Sequence, residues 1–362
     1  MVTDAPILIT GGAGFIGSNL ADRLLSDGHR VRILDALSRA GVERNLAWLQ
    51  ARHGDRVEPL VADIRDRTAV VGAARDAKAV FHLAAQVAVT TSMIDPRDDF
   101  AINIEGTLNI LEALRERADG TPLVFASTNK VYGDLADLNY ALHDDAYAPV
   151  DAAVRDHGIG EDRPLDFHTP YGVSKGAADQ YVLDYARSFG IPTAVLRMSC
   201  IYGQRQMGTE DQGWVAHFLI RALQGEPITL YGDGLQVRDI LDVSNAVDAY
   251  VQAWARIDEV KGRAFNLGGG PGNAVSLRQL LAHIETLVGR PVDVAYSDWR
   301  AGDQRYFVAD TRAAEAALGL QPKVDWRTGV ATLARWLAAE RRLNLPVDDA
   351  PLLEVAPLRA AS

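Results

Sequence analysis

The chain has 362 residues, 48% hydrophobic and 23% charged, which is enough to bury a substantial core in one large or two modest domains. Its 48 acidic against 37 basic side chains give a formal charge of −11, so no global field draws it to nucleic acid, and no such partner is expected. The single cysteine, Cys200, excludes an internal disulfide; no Cys/His spacing suits a metal, and neither a spanning apolar run nor a secretory leader is visible. These features lead to the expectation of a cytoplasmic enzyme with no membrane partner.

Short apolar runs at 6–10, 31–34, 57–61, 79–82 and 123–126 have the length of buried strands. Helical spacing fills the intervals at 15–26, 44–52, 68–75 and 101–117. The alternation predicts an α/β fold of Rossmann type, a doubly wound parallel sheet covered on both faces. Residues 134–170 are Asp-rich and aperiodic, and read as an inserted lid. A helix is predicted over 171–189, followed by a strand from Pro192. Beyond Tyr202 come helices near 214–223, 277–288 and 328–341, with short strands near Ile228 and Ala264. This mixture predicts a smaller C-terminal α/β domain. The expected divisions are 1–202, then 203–345 with crossings back to the first domain, and a tail at 346–362.

Gly11, Gly14 and Gly17 lie between the first strand and the first helix. Such glycines allow a tight turn and a close approach of backbone to a pyrophosphate, and the helix N-terminus favours the negative charge. Asp35 ends the second strand, 18 residues past Gly17, where a carboxylate can hold both adenosine ribose hydroxyls and repel a 2′-phosphate. Asp63 and Ile64 follow the third strand, placed to contact adenine. Arg32 and Arg39 lie nearby and would weaken the preference. A turn without a ligand is the local alternative; position and the two acidic residues favour NAD.

Tyr171 and Lys175 sit four apart at the start of a helix and share a face. A phenol titrates near 10, and lowering it by about three units requires roughly 4 kcal/mol of preference for the phenolate. A lysine ammonium and an oxidised nicotinamide ring would supply that charge. By itself the pair could be an ordinary surface feature. Ser127 and Thr128 end the fifth strand, on the crevice side of an open parallel sheet, where a hydroxyl orients a sugar alcohol; strand capping is the plainer reading.

Together the glycine triplet, His82-Leu-Ala-Ala85, Ser127-Thr-Asn-Lys-Val-Tyr-Gly133 and the Tyr171/Lys175 pair resemble the extended short-chain dehydrogenase/reductase family of NAD-dependent epimerases and dehydratases. The resemblance runs from about Ile7 to Trp336. Within the family the likeness is to the CDP-paratose (CDP-tyvelose) 2-epimerase type, carried by Asp35-Ala-Leu-Ser-Arg-Ala-Gly41, Ser174-Lys-Gly-Ala-Ala-Asp-Gln-Tyr181, Ser199-Cys-Ile-Tyr-Gly203 and Glu210 to Phe218. It implies Tyr171 as acid/base, Lys175 as its partner, and Thr128 with Ser127 as the hydroxyls that position substrate. Cofactor contacts implied in the same way include Phe15, Ile16, Ser38, Arg39, Leu83, Ala84, Ala85 and Asn103, although Asn103 alone reads as polar filler.

The resemblance further places Tyr231 against the nucleotide base, Arg238 on the diphosphate, and Arg300 and Asp303 as a second substrate pair. Cys200 stands where relatives carry an asparagine, and Gln86, Thr90 and Asn129 are weaker substrate contacts. A dehydratase would need Asp-Glu after Thr128, and a decarboxylase Glu at 130; here stand Asn129 and Lys130. Epimerisation at carbon 2 of a CDP-sugar is the favoured expectation, with a UDP-sugar 4-epimerase as the enzymatic alternative. Gln204, Met207 and the weakly acidic Asp242-Val-Ser-Asn245 depart from the family pattern and leave sugar and base open. An NAD-sensing regulator is disfavoured by the intact Tyr171 and Lys175. A homodimer built on helices 98–117 and 171–189 is also implied.

Overall fold

Runs of four to six apolar residues cannot present one face to water, and here they assemble into a parallel sheet buried on both sides. The computed structural model describes residues 5–300, 302–320 and 323–345, and the expected tail lies outside them. The strands in chain order are β1 (Ile7–Thr10), β2 (Val31–Asp35), β3 (Val57–Val61), β4 (Ala79–His82) and β5 (Leu123–Thr128). A hairpin of β6 (Tyr140–His143) and β7 (Ala146–Pro149) precedes β8 (Thr193–Met198) and β9 (Cys200–Tyr202). Then come β10 (Ile228–Tyr231), β11 (Val237–Asp242), β12 (Arg263–Leu267), β13 (Ala274–Ser276), β14 (Val294–Ser297) and β15 (Tyr306–Phe307). The central sheet runs β12-β8-β5-β4-β1-β2-β3, parallel throughout. Its order reverses between β1 and β4, which puts the ligand crevice at the carboxyl ends of these strands.

Alternate residues of each strand feed different layers. Ile7 and Ile9 pack with Leu20 and Leu24 of the helix Phe15–Ser26 and with Tyr250 of Val243–Ala255. Leu8 turns to the other face, into the layer of Ile110 from Gly106–Arg117 and Val182 from Thr169–Phe189. A separate core joins the helices Trp214–Gln224, Leu277–Val288 and Trp326–Arg341 through Leu219, Ile284 and Leu333. Beside it β11 pairs parallel with β9 and β15 and antiparallel with β13, so this smaller part is mixed. Among the described residues no helix is long and apolar enough to cross a membrane.

Two regions differ from the sequence expectation. The helix expected over 101–117 begins earlier, as Pro96–Phe100, and passes through a π-helical stretch at Ala101–Glu105 before Gly106–Arg117. The aperiodic 134–170 segment contains the β6–β7 hairpin and the helix Ala152–His157. It is stitched to the smaller part by Tyr147 N–H on the Leu235 carbonyl (3.0 Å) and Ile159 N–H on that of Val308 (2.7 Å).

Candidate active site

Close packing, rather than flexibility alone, requires the glycines after β1. Gly11 has φ +69°, and a Cβ there would lie 2.7 Å from the Ala84 nitrogen; at Gly17 it would lie 2.3 Å from the Gly11 carbonyl oxygen. The turn therefore nests against Leu83-Ala84-Ala85, where Ala84 N–H donates to the Thr10 hydroxyl at 3.2 Å. The helix beginning at Phe15 and Ile16 has no side-chain cap, which leaves its first N–H groups available to an anion. Asp35 accepts from Ala13 N–H (3.0 Å) and Leu37 N–H (2.9 Å), so its carboxylate braces the turn at the end of β2. These features fit the pyrophosphate and ribose of a dinucleotide.

Other expected cofactor residues are arranged less simply. Ile64 packs under the helix Gly106–Arg117, since a Cβ on Gly106 would meet it at 2.7 Å. Asp63 is engaged by Arg65 at 2.6 Å, which holds its carboxyl below the usual range, and Arg65 reaches on to Asp98 at 2.7 Å. Ser38 and Arg39 are exposed, and the Arg39 charge is felt by both Asp35 and Tyr171. Asn103 is buried by the π-helical turn. Its oxygen accepts from Gln86 N–H (2.9 Å), and its nitrogen donates to the Gln86 carbonyl (3.1 Å) and to Ser174 (2.9 Å). It clamps the loop after β4, and both its amide groups are committed to protein. Gln86 folds back on the Ala88 backbone, while the buried Thr90 hydroxyl has no partner among the described residues.

The helix Thr169–Phe189 starts with Pro170 in its first turn, a position that needs no N–H acceptor. This places Tyr171 and Lys175 over the end of β5. The Thr128 hydroxyl hydrogen-bonds the Tyr171 phenol, although burial outweighs that bond and raises the phenol above its ordinary value. Lys175 is 3% exposed, with its Nζ 4.2 Å from the Phe125 ring centroid. Burial brings its ammonium down to about 7, against the opposing charges of Asp179 and Asp99. The Arg39 charge acts to lower the phenol and that of Asp99 to raise it. His82 is driven to about 3 by burial and stays neutral between the hydroxyls of Thr10 (2.6 Å) and Thr107 (3.0 Å).

Ser127 requires a correction. Its hydroxyl donates to the Asp179 carboxylate at 2.7 Å instead of lining the crevice with Thr128. Neighbouring strand residues face opposite ways, and Ser127 shares the parity of Leu123 and Phe125 beneath the helix. Asp179 also accepts two bonds from Arg197, each at 3.0 Å, and Arg197 donates on to the Tyr132 hydroxyl at 3.0 Å. None of these network partners was expected from sequence, although Asp179 at four residues past Lys175 has the spacing that would reveal it.

Across the crevice, Arg238 on β11 meets Asp303 at 2.6 Å, and Lys130 donates to the Gly302 carbonyl at 2.9 Å. The Arg300 guanidinium stacks 3.8 Å from the Tyr231 ring centroid, and both residues hydrogen-bond Glu210. Cys200 accepts a contact from Trp214 Nε1 at 3.4 Å, with its thiol raised by burial near Arg238 and Lys130. Asn129 is held by Gln304 at 3.2 Å. Glu210, Trp214 and Gln304 were not singled out as site residues; only this long-range pairing reveals them.

Residues 7–268 match the model of the NAD dependent epimerase/dehydratase family. A CDP-paratose 2-epimerase of Salmonella typhi is 42% identical over 342 residues, spanning 92% of this chain and 99% of that one. In three dimensions the chain is similar to a UDP-glucose 4-epimerase of Thermotoga maritima, in complex with UDP-glucose, with TM-score 0.80, 30% identity, and 93% and 99% of the two chains covered. It is likewise similar to a Thermus thermophilus UDP-glucose 4-epimerase in complex with NAD, with TM-score 0.77, 31% identity, and 92% and 98% covered.

Proposed function

Because the chain belongs to the NAD dependent epimerase/dehydratase family and is an NAD-dependent nucleotide-sugar epimerase, we propose that it inverts carbon 2 of a CDP-hexose, converting CDP-paratose to CDP-tyvelose or a close analogue. The observation that carries this reading is the 42% identity to a 2-epimerase along almost the whole of both chains. When bound, NAD would supply the acceptor for the carbinol hydride and the donor for its return to the opposite face. The glycine turn, the Phe15–Ile16 helix start and Asp35 hold it. Tyr171 takes the carbinol proton and later gives it back, and Thr128 holds the sugar oxygen beside the phenol. Lys175 supplies positive charge, and its approach to neutrality near pH 7 makes that charge adjustable.

Arg238 and Arg300 neutralise the diphosphate and cover the base together with Tyr231, while Asp303 holds ribose hydroxyls. Residues 1–202 form the cofactor half and 203–345 the substrate half, with β12 returning to the central sheet and 134–170 lying over the sugar as a lid. Incubation with CDP- and UDP-hexoses, followed by epimer-specific NMR signals, tests the substrate. Conversion of CDP-paratose is expected. Interconversion of UDP-glucose and UDP-galactose alone would overturn the reading in favour of a 4-epimerase, the reaction named for the neighbours of known structure.

A second copy of this chain is the proposed partner of an apolar face on the helices Val89–Ile94, Pro96–Phe100 and Thr169–Phe189. There Ile94 is 85% exposed, and Phe100, Val173, Tyr181 and Phe189 are each more than 40% exposed. Light scattering is expected to give twice the 39.2 kDa chain mass; monomer alone would refute the homodimer.

A further inference from the structure

We propose that the Lys130 ammonium grips the β-phosphate of the nucleotide-sugar and thereby presents carbon 2, rather than carbon 4, to Tyr171. The proposal rests on the epimerase reading given above. The Thr128 hydroxyl accepts from Lys130 N–H at 3.3 Å and caps the short 3₁₀ turn Asn129–Tyr132. The residue that holds the sugar oxygen therefore also fixes the backbone of the lysine. Lys130 Nζ lies 4.0 Å from Asp303 Oδ1, the oxygen that Arg238 meets at 2.6 Å, and its side chain is 21% exposed. One ammonium N–H goes to the Gly302 carbonyl at 2.9 Å, which leaves the others without a partner among the described residues.

Charge balance and geometry identify the ligand. Arg238 and Lys130 share one carboxylate, since among the described residues no other acid lies within 4.0 Å of either. The nearest further acids are committed elsewhere. Asp239 accepts from Ser199 and from the Gly270 and Ala309 N–H groups, and Asp134 faces His168 at 3.5 Å. The neighbouring Cys200 thiol is raised by burial and stays neutral. The cluster therefore carries a surplus positive charge, which suits a phosphate oxygen better than a sugar hydroxyl. Holding the loop does not require that charge, because Gln304 already ties it to Asn129 at 3.2 Å and to the Gly133 carbonyl. In a nucleotide-sugar the β-phosphate is bonded through oxygen to carbon 1, the neighbour of carbon 2, whereas carbon 4 lies across the ring. A cation anchored on Thr128 hence favours carbon 2 at the phenol.

Calorimetric titration of the full chain with CDP and with CMP isolates the β-phosphate. Lys130→Gln keeps a donor for the Gly302 carbonyl and removes only the charge. The preference for CDP over CMP should fall about 10–100-fold in this variant, and in Lys130→Met should the first not fold. Lys130→Arg should keep most of that preference. In the neutral variants kcat/KM for the nucleotide-sugar should fall by at least the same factor, because the sugar also loses its orientation. A folded neutral variant that binds both nucleotides as the wild type does, or that weakens both equally, would overturn the proposal. Failure of the epimerase reading would instead appear in the wild-type protein, as conversion of no nucleotide-sugar while the CDP preference still depends on Lys130.

Discussion

Tyr171→Phe should lower kcat by about 10²–10⁴-fold while leaving NAD bound, because only the proton-transfer group is lost. The ring remains to fill its buried site at the start of the helix, and the glycine turn, Asp35 and the Phe15–Ile16 helix start are untouched. Turnover is read by NMR, and cofactor content by the absorbance released on denaturation. Thr128 loses its hydrogen-bond partner in the variant, so a small shift in KM accompanies the large fall in kcat. Unchanged turnover would remove Tyr171 from the mechanism. Loss of NAD together with activity would make the residue a cofactor contact instead.

The second large effect is on stability. Asp179 is 0% exposed and accepts from Arg197 twice, from Ser127 at 2.7 Å and from Gln180 at 2.9 Å. Asp179→Ala leaves the buried Arg197 guanidinium uncompensated and should cost roughly 3–5 kcal/mol in urea unfolding. Ser127→Ala removes one bond to a carboxylate and should cost only about 1.5–3 kcal/mol, with turnover largely retained. A nearly neutral Asp179→Ala would show that the network is not holding the helix to β5. Loss of turnover in a stable Ser127→Ala would return that hydroxyl to the crevice.

The parallel sheet was legible because β1 to β5 are short, uninterrupted apolar runs and because glycines mark the turn after β1. The Tyr171/Lys175 pair was legible from helical spacing. Thr128 and Ser127 stand side by side in sequence, and only strand parity and the opposing Asp179 separate their roles. The β6–β7 hairpin was missed because its turn has no glycine. Asp144 and Asp145 take φ values of +42° and +61° there, a shape the usual Asn-Gly or Asp-Gly signal would have announced. Arg238 was expected only by resemblance, since β11 pairs with strands drawn from three distant parts of the chain. Asn103 reads as filler until the π-helical turn brings it onto Gln86.

The most direct test of oxidation and re-reduction at one carbon uses CDP-paratose carrying deuterium at C2, incubated in ordinary water and followed by NMR. The expected result is CDP-tyvelose that retains the deuterium at C2, because the hydrogen leaves and returns within one closed site. Conversion with loss of the label to solvent, or no conversion at all, would contradict it.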